Sequence, residues 1–201
     1  MALTSLTVAK CDRTPGGIYR LLLCDAANID DATVDISTDK HDLTDIDFSS
    51  AAVSGGLGFV EFTFRDGEAR YEYTQERQDS GADVCTANIF MMVPAPTSAN
   101  AHALEQLRGV CEVVAVTQDY DGQLRCFGID YNSGRGADIG RGEFQALSGA
   151  SGTNRTEGNQ GELNIQFEQE IQPLLVTAET ATGGATTDVD EIIAEYLTPT
   201  D

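Results

Sequence analysis

Two runs of alternating residues, Phe59-Val60-Glu61-Phe62-Thr63-Phe64-Arg65 and Glu68-Ala69-Arg70-Tyr71-Glu72-Tyr73-Thr74, flank the dipeptide Asp66-Gly67. Period-two alternation marks a half-buried strand, and Asp-Gly is a favoured two-residue hairpin connection of type I′. Pairing outward from that turn places Phe64 opposite Ala69, Phe62 opposite Tyr71 and Val60 opposite Tyr73. The other face pairs Arg65 with Glu68, Thr63 with Arg70, and Glu61 with Glu72. The expectation is a hairpin with an apolar face toward the core and a charged face toward water.

Other segments follow the same grammar. Gly16-Gly17 leads into the apolar run Ile18 to Cys24, which reads as a buried strand. Asn88 to Val93 is another strand, stopped by Pro94 and Pro96, and residues 75–84 read as a loop before it. Glu112 to Gln118 runs into Asp121-Gly122 and returns through Gln123 to Asp130, a second hairpin. Glu162 to Ile171 alternates as a last strand, ended by Pro173. Ser98 is placed to cap a short helix through Leu107, with Gly109 as its stop. The fold class expected is mainly β: a β-sandwich or barrel with long hairpins, one short helix and extended loops or arms.

Three stretches are less regular. Asp25 to Asp47 carries eight aspartates between isolated aliphatic residues and reads as a solvated loop or an edge strand. It lacks the D-x-D-x-D-G spacing of a calcium loop. Tyr131 to Gly161 is glycine-rich with few large apolar side chains, the mark of a functional loop or a segment that orders on assembly. Ala178 to Thr187 reads as a flexible linker. After it, Val189, Ile192, Ile193, Tyr196 and Leu197 recur at helical spacing on Asp188 to Leu197. So short a helix is marginal alone and needs a surface to dock on, either its own domain or a neighbouring subunit. The chain thus divides into a β domain over residues 1–176 and a linker with an amphipathic helix or arm over 177–201.

Charge restricts the partners. The 33 acidic side chains outnumber 12 basic ones, for a net charge of −21, and only Lys10 and Lys40 are lysines. Such a surface repels nucleic-acid phosphates, and no basic run counters it. An acidic, lysine-poor surface also stays hydrated when concentrated salt screens its self-repulsion, which fits adaptation to a salt-loving host. No apolar run approaches the roughly 20 residues of a membrane span, and MALTSLTVAK does not read as a signal peptide.

Catalytic signatures are missing. Cys11, Cys24, Cys85, Cys111 and Cys126 are widely spaced without a CxxC, so buried thiols are expected rather than a disulfide framework or a zinc site. Ser151 lacks a nucleophile elbow, two histidines make a poor basis for a triad, and no tryptophan is present to build a sugar-stacking cleft. Gly134-x-Gly136-x-x-x-Gly140 misses dinucleotide-binding spacing and has no βαβ context. The chain reads as non-catalytic, with no cofactor and no metal.

Taken in order, the glycine-led strand, the long hairpin, the strand and short helix, the Val113-to-Val116/Asp121-Gly122/Leu124-to-Ile129 hairpin, the glycine-rich loop and the final strand ending in Gln172-Pro173 resemble the tube protein of tailed viruses and related contractile injection machines. The likeness covers roughly residues 15–176, as a pattern of elements without a diagnostic motif. It implies a virion structural protein of the tail, not an enzyme. Its copies would form stacked hexameric rings, contact other tail proteins and let DNA pass without specific binding or any membrane contact. On that resemblance Glu61, Arg65, Glu68, Arg70 and Glu72 are candidates to face the lumen, and Val189, Ile192, Ile193, Tyr196 and Leu197 to contact a neighbouring subunit. Two other classes fit the same composition: a capsid decoration or head–tail joining protein, and an acidic β domain with a ligand-binding or enzymatic role.

Overall fold

In the computed structural model, the residues described are 16–30, 34–37, 42–79, 83–94, 109–110, 112–132, 136–150, 160–177, 179–181 and 184–197. The expected helix over Ser98 to Leu107, Cys11 and Cys111 lie outside them. The fold is mainly β. Strands follow in the order β1 (Ile18–Asp25), β2 (Asp35–Ser37), β3 (Asp42–Asp45), β4 (Val60–Thr63), β5 (Ala69–Arg77), β6 (Asp83–Pro94), β7 (Val113–Asp119), β8 (Leu124–Phe127), β9 (Ile129–Asn132), β10 (Gly136–Ile139), β11 (Gly142–Ala150), β12 (Gln160–Gln169), β13 (Leu174–Val176), β14 (Glu179–Ala181) and β15 (Gly184–Thr186). Among the described residues there are two α-helices, α1 (Ser50–Gly55) and α2 (Val189–Leu197).

The strands build two layers. Layer one has the order β4-β1-β7-β8-β13-β3-β2, and layer two is the antiparallel sheet β11-β12-β6-β5. Among the described residues, a single strand pairing joins them, Gly142 of β11 against Val113 of β7. That junction needs glycine. A Cβ on Gly142 would lie 2.3 Å from the Phe167 ring and 2.6 Å from the Val113 carbonyl oxygen. Gly128, with φ of 88°, ends β8 against the same carbonyl, so that β11 can take over that edge of β7.

The apolar run of β1 is buried on both sides. Leu21 and Leu23 join Val113, Ala115 and Phe127 in facing layer two, where Ala87, Ile89, Met91, Leu163, Ile165 and Phe167 complete one core. Leu22 and Cys24 join Val114, Val116 and Cys126 in a second core on the far side of layer one. This two-sided burial explains why β1 and β7 are nearly continuous in apolar residues rather than alternating. Strand β5 crosses layer one instead of running along it. Its Ala69 carbonyl lies beside Gly17, its Tyr71 ring centroid is 5.4 Å from that of Phe127, and its Gln75 side chain accepts a hydrogen bond from Gln172 at 2.9 Å.

Helix α2 closes the second core. Asp188 caps it by accepting from the backbone N–H groups of Asp190 (3.0 Å) and Glu191 (3.4 Å), and both of those acidic residues sit favourably in the first turn. Ile192, Ile193 and Tyr196 are buried, the Tyr196 ring stacks 5.1 Å from Phe59, and the Phe59 N–H donates to the Tyr196 carbonyl at 2.8 Å. Val189 and Leu197 pack against the same cluster. The assignment of Ile192, Ile193 and Tyr196 to a neighbouring subunit is therefore corrected: they are buried in the chain's own core, and Val189 and Leu197 lie half-buried beside them.

The expected hairpin over residues 59–74 is also corrected. Its turn forms, with the Glu68 N–H donating to the Arg65 carbonyl at 3.0 Å and Gly67 at φ of 81°. The two strands then part. β4 pairs with β1, setting Phe62 opposite Leu21 and Val60 opposite Leu23. β5 pairs with β6, setting Ala69 opposite Met91 and Tyr71 opposite Ile89. Each run thereby gains a more apolar partner than the other could offer, and the turn becomes the link between layers. The second hairpin forms as expected, with Val116 opposite Cys126 and Gly122 at φ of 86°.

The irregular stretches hold more strand than their composition indicates. The glycine-rich stretch supplies the end of β9 and all of β10 and β11. β5 and β6 extend to Arg77 and back to Asp83, shortening the expected loop. The expected linker contains the β14–β15 pair. The aspartate-rich segment contains β2 and β3, and its Ile29, Ile36, Leu43 and Ile46 are buried.

Candidate functional site

The outward face of layer two is set by strand parity. With Ala69, Tyr71, Ala87, Ile89, Met91, Leu163, Ile165 and Phe167 turned inward, the alternate positions of β5, β6 and β12 point away from the core. Glu72 and Glu76 on β5, Glu162 and Glu168 on β12 and Glu143 on β11 are exposed there, alongside Arg70 on β5. The Arg70 guanidinium stacks 4.5 Å above the Phe90 ring. Asn88, Asn164 and Gln166 lie between the charges, half-buried. The face is broad, polar and acidic.

Both edges of this sheet are open. Among the described residues, no strand pairs along the outer edge of β5, and β11 meets β7 only at Gly142. The two edges have opposite sense, because three successive antiparallel pairings lead from β11 through β12 and β6 to β5. At the β11 end the face dips into a cleft of about 240 Å³ lined by Glu112, Gly140, Arg141, Glu143, Gln145, Gln166 and Glu168. Arg141 is paired with Asp138. No group of three or more metal-ligating side chains occurs among the described residues.

The five candidates for a lumen face do not share one face. Arg70 and Glu72 lie on the outward face of layer two, opposite Phe90 and Asn88. Arg65 and Glu68 belong to the turn between layers, where the Glu68 carboxylate accepts from the Arg65 N–H at 2.8 Å. Glu61 lies on β4 in layer one, paired with Arg20 at 3.6 Å; Arg20 also reaches Asp190 of α2 at 3.6 Å. The expected apposition of Glu61 and Glu72 does not exist, because their strands do not pair. Sequence reading missed Glu76, Glu143, Glu162 and Glu168. Alternation around Leu163, Ile165 and Phe167 marks Glu162 and Glu168 as outward, whereas Glu143 sits in a stretch whose glycines hide the strand.

One polar cluster crosses the interior. The Tyr71 hydroxyl donates to Asp119 Oδ2 at 3.0 Å, and Arg125 Nε lies 3.5 Å from the same oxygen. Burial, reinforced by the Asp119 charge, pushes the Tyr71 phenol up to about 12. Burial likewise pushes the Cys24 thiol up to about 12. The fold holds both groups neutral, so the stability they contribute is complete below their unfolded values of about 8.5–10 and is lost as pH rises toward 12. The denaturation midpoint is therefore expected to fall steadily above about pH 9, less steeply in Tyr71→Phe; a flat midpoint to about pH 11 would contradict this assignment.

Comparison with known protein families, curated proteins and solved structures finds no match to this chain. Among the described residues, no helix is long and apolar enough to cross a membrane.

Proposed function

We propose that the chain is the subunit of a self-assembling tube, a virion structural protein of the tail whose copies form stacked, hexameric rings with an acidic lumen. One observation carries this reading: a four-stranded antiparallel sheet whose two edges, among the described residues, are unpaired except at Gly142, with one acidic outward face. An unpaired edge invites another strand. Because β5 and β11 have opposite sense, copies related by rotation about one axis would set β5 of each beside β11 of the next in antiparallel pairing. Such a head-to-tail contact closes into a ring, and the joined sheets into a barrel. The outward face then lines the bore, and Glu72, Glu76, Glu143, Glu162 and Glu168 keep DNA phosphates from adhering to the wall. Other tail proteins would cap such a tube, and DNA would pass without specific contacts.

The charge of −21 per copy sets the conditions for assembly. Like charges must be screened over a Debye length of about 10 Å at 0.1 M salt, so ring formation is expected to strengthen toward molar sodium chloride, in keeping with a salt-loving host. Sedimentation across a salt series with negative-stain microscopy tests this. Tubes or stacked rings that grow with salt support the reading; small closed oligomers support a capsid decoration or joining protein instead, and monomers at every salt concentration overturn it.

A further inference from the structure

Among the described residues, strand β5 is an unpaired edge, and its grip on layer one is narrow. Ala69 is buried, Tyr73 is 40% exposed, and between them Tyr71 makes the polar contact to Asp119 at the end of β7 and lies 5.9 Å from the Arg125 guanidinium of β8. Asp119 is nearly enclosed, with 12% of its side chain exposed, and its Oδ1 has no hydrogen-bond partner among the described residues. We propose that this Tyr71–Asp119–Arg125 cluster positions β5 to receive the β11 edge of a second copy, and that the charge on Asp119 regulates that docking. The inference rests on the ring-forming function proposed above.

An ionised acceptor holds a phenol about twice as strongly as a neutral one, so a charged Asp119 fixes Tyr71, and with it the middle of β5. Protonation removes the counter-charge from Arg125 and loosens that hold. The groups facing Asp119 are Tyr71 from β5, Arg125 from β8 and Asp121 from the following turn, while Tyr73 bears on Tyr71. Burial raises the Asp119 carboxyl above the ordinary aspartate range against the opposing pull of Tyr71 and Arg125, and Asp121 raises it further. The switch thus acts at a milder pH than an ordinary aspartate would allow. A carboxyl raised on folding gives stability below its unfolded value that is lost as pH rises through the folded one. Acidification through Asp119 therefore strengthens the fold while weakening docking, which separates regulation from unfolding.

The test compares wild type, Tyr71→Phe and Asp119→Asn in about 1 M sodium chloride, where like-charge repulsion is screened. Thermal melts of the dilute monomers confirm folding, and sedimentation gives the concentration at which each assembles. At about pH 8 both variants are expected to need roughly five- to tenfold more protein than wild type. As pH is lowered through the Asp119 titration, followed by carboxyl NMR, the gap between wild type and Asp119→Asn closes in step with it. Equal assembly concentrations at the higher pH, or a gap that does not change with pH, overturn the inference while leaving the ring intact. A wild type that never assembles overturns the ring reading and this inference with it.

Discussion

Deleting residues 188–201 is expected to unfold the chain, not merely to block its association. The deletion strips Ile192, Ile193 and Tyr196 from the second core and uncovers Phe59, which both stacks on Tyr196 and donates its N–H to the Tyr196 carbonyl. Full burial of each large apolar side chain contributes about 1.5–3 kcal/mol, so three together amount to about 5 kcal/mol or more. That is comparable to the whole net stability of many domains, about 5–15 kcal/mol. Circular dichroism and thermal melting of the truncated chain check this outcome. A truncated chain that melts like the full one but no longer associates would restore the helix to a role between subunits. The milder Tyr196→Ala change is expected to cost about 3–5 kcal/mol.

Gly142→Ala is expected to be comparably damaging although it adds one methyl group. The new Cβ would meet the Phe167 ring at 2.3 Å and the Val113 carbonyl at 2.6 Å, and neither can retreat easily. Phe167 is fully buried and packs 5.7 Å from Phe127, while Val113 is fixed by its ladder to β1. Overpacking of this kind typically costs about 1–3 kcal/mol, and the loss of the one pairing that joins the layers adds to it. A fall in melting temperature of about 10 °C is expected, since about 1 kcal/mol shifts a domain of this size by about 2–4 °C. Gly149→Ala, on the same strand but away from the junction, is the comparison; equal losses in both would mean that the junction has no special role.

These two sites show where the sequence is and is not informative. Apolar runs bounded by Gly-Gly or Asp-Gly locate β1 and the β7–β8 hairpin, because burial and turn chemistry are both local in the chain. Inward Leu163, Ile165 and Phe167 locate β12 for the same reason. The partner of a strand is a different matter. Phe62 alternates as well for pairing with Tyr71 as with Leu21, and only the third dimension shows that Leu21 lies in a more deeply buried neighbour. Strand β11 escapes detection because Gly142 and Gly149 interrupt its pattern, yet Gly142 is the residue that lets the layers meet. β13 is hidden in a short stretch after Pro173 and is recognisable only beside β3 and β8. Helical spacing defines the apolar face of α2 without revealing that Phe59 packs on it. The acidic face was half legible for the same reason: alternation assigns Arg70 and Glu72 correctly, while the turn that carries Arg65 and Glu68 separates them from Glu61.

The edges of layer two are where the proposed assembly stands or falls. Amide hydrogen exchange, measured residue by residue on the dilute chain and on the same chain at molar salt, reads those edges directly. The outer amides of β5 (Ala69–Arg77) and β11 (Gly142–Ala150) are expected to exchange quickly in the dilute chain and to become protected together on assembly. Protection that leaves both edges exchanging as fast as before, or that appears only along β4 or β2, would contradict edge-to-edge closure of the sheet.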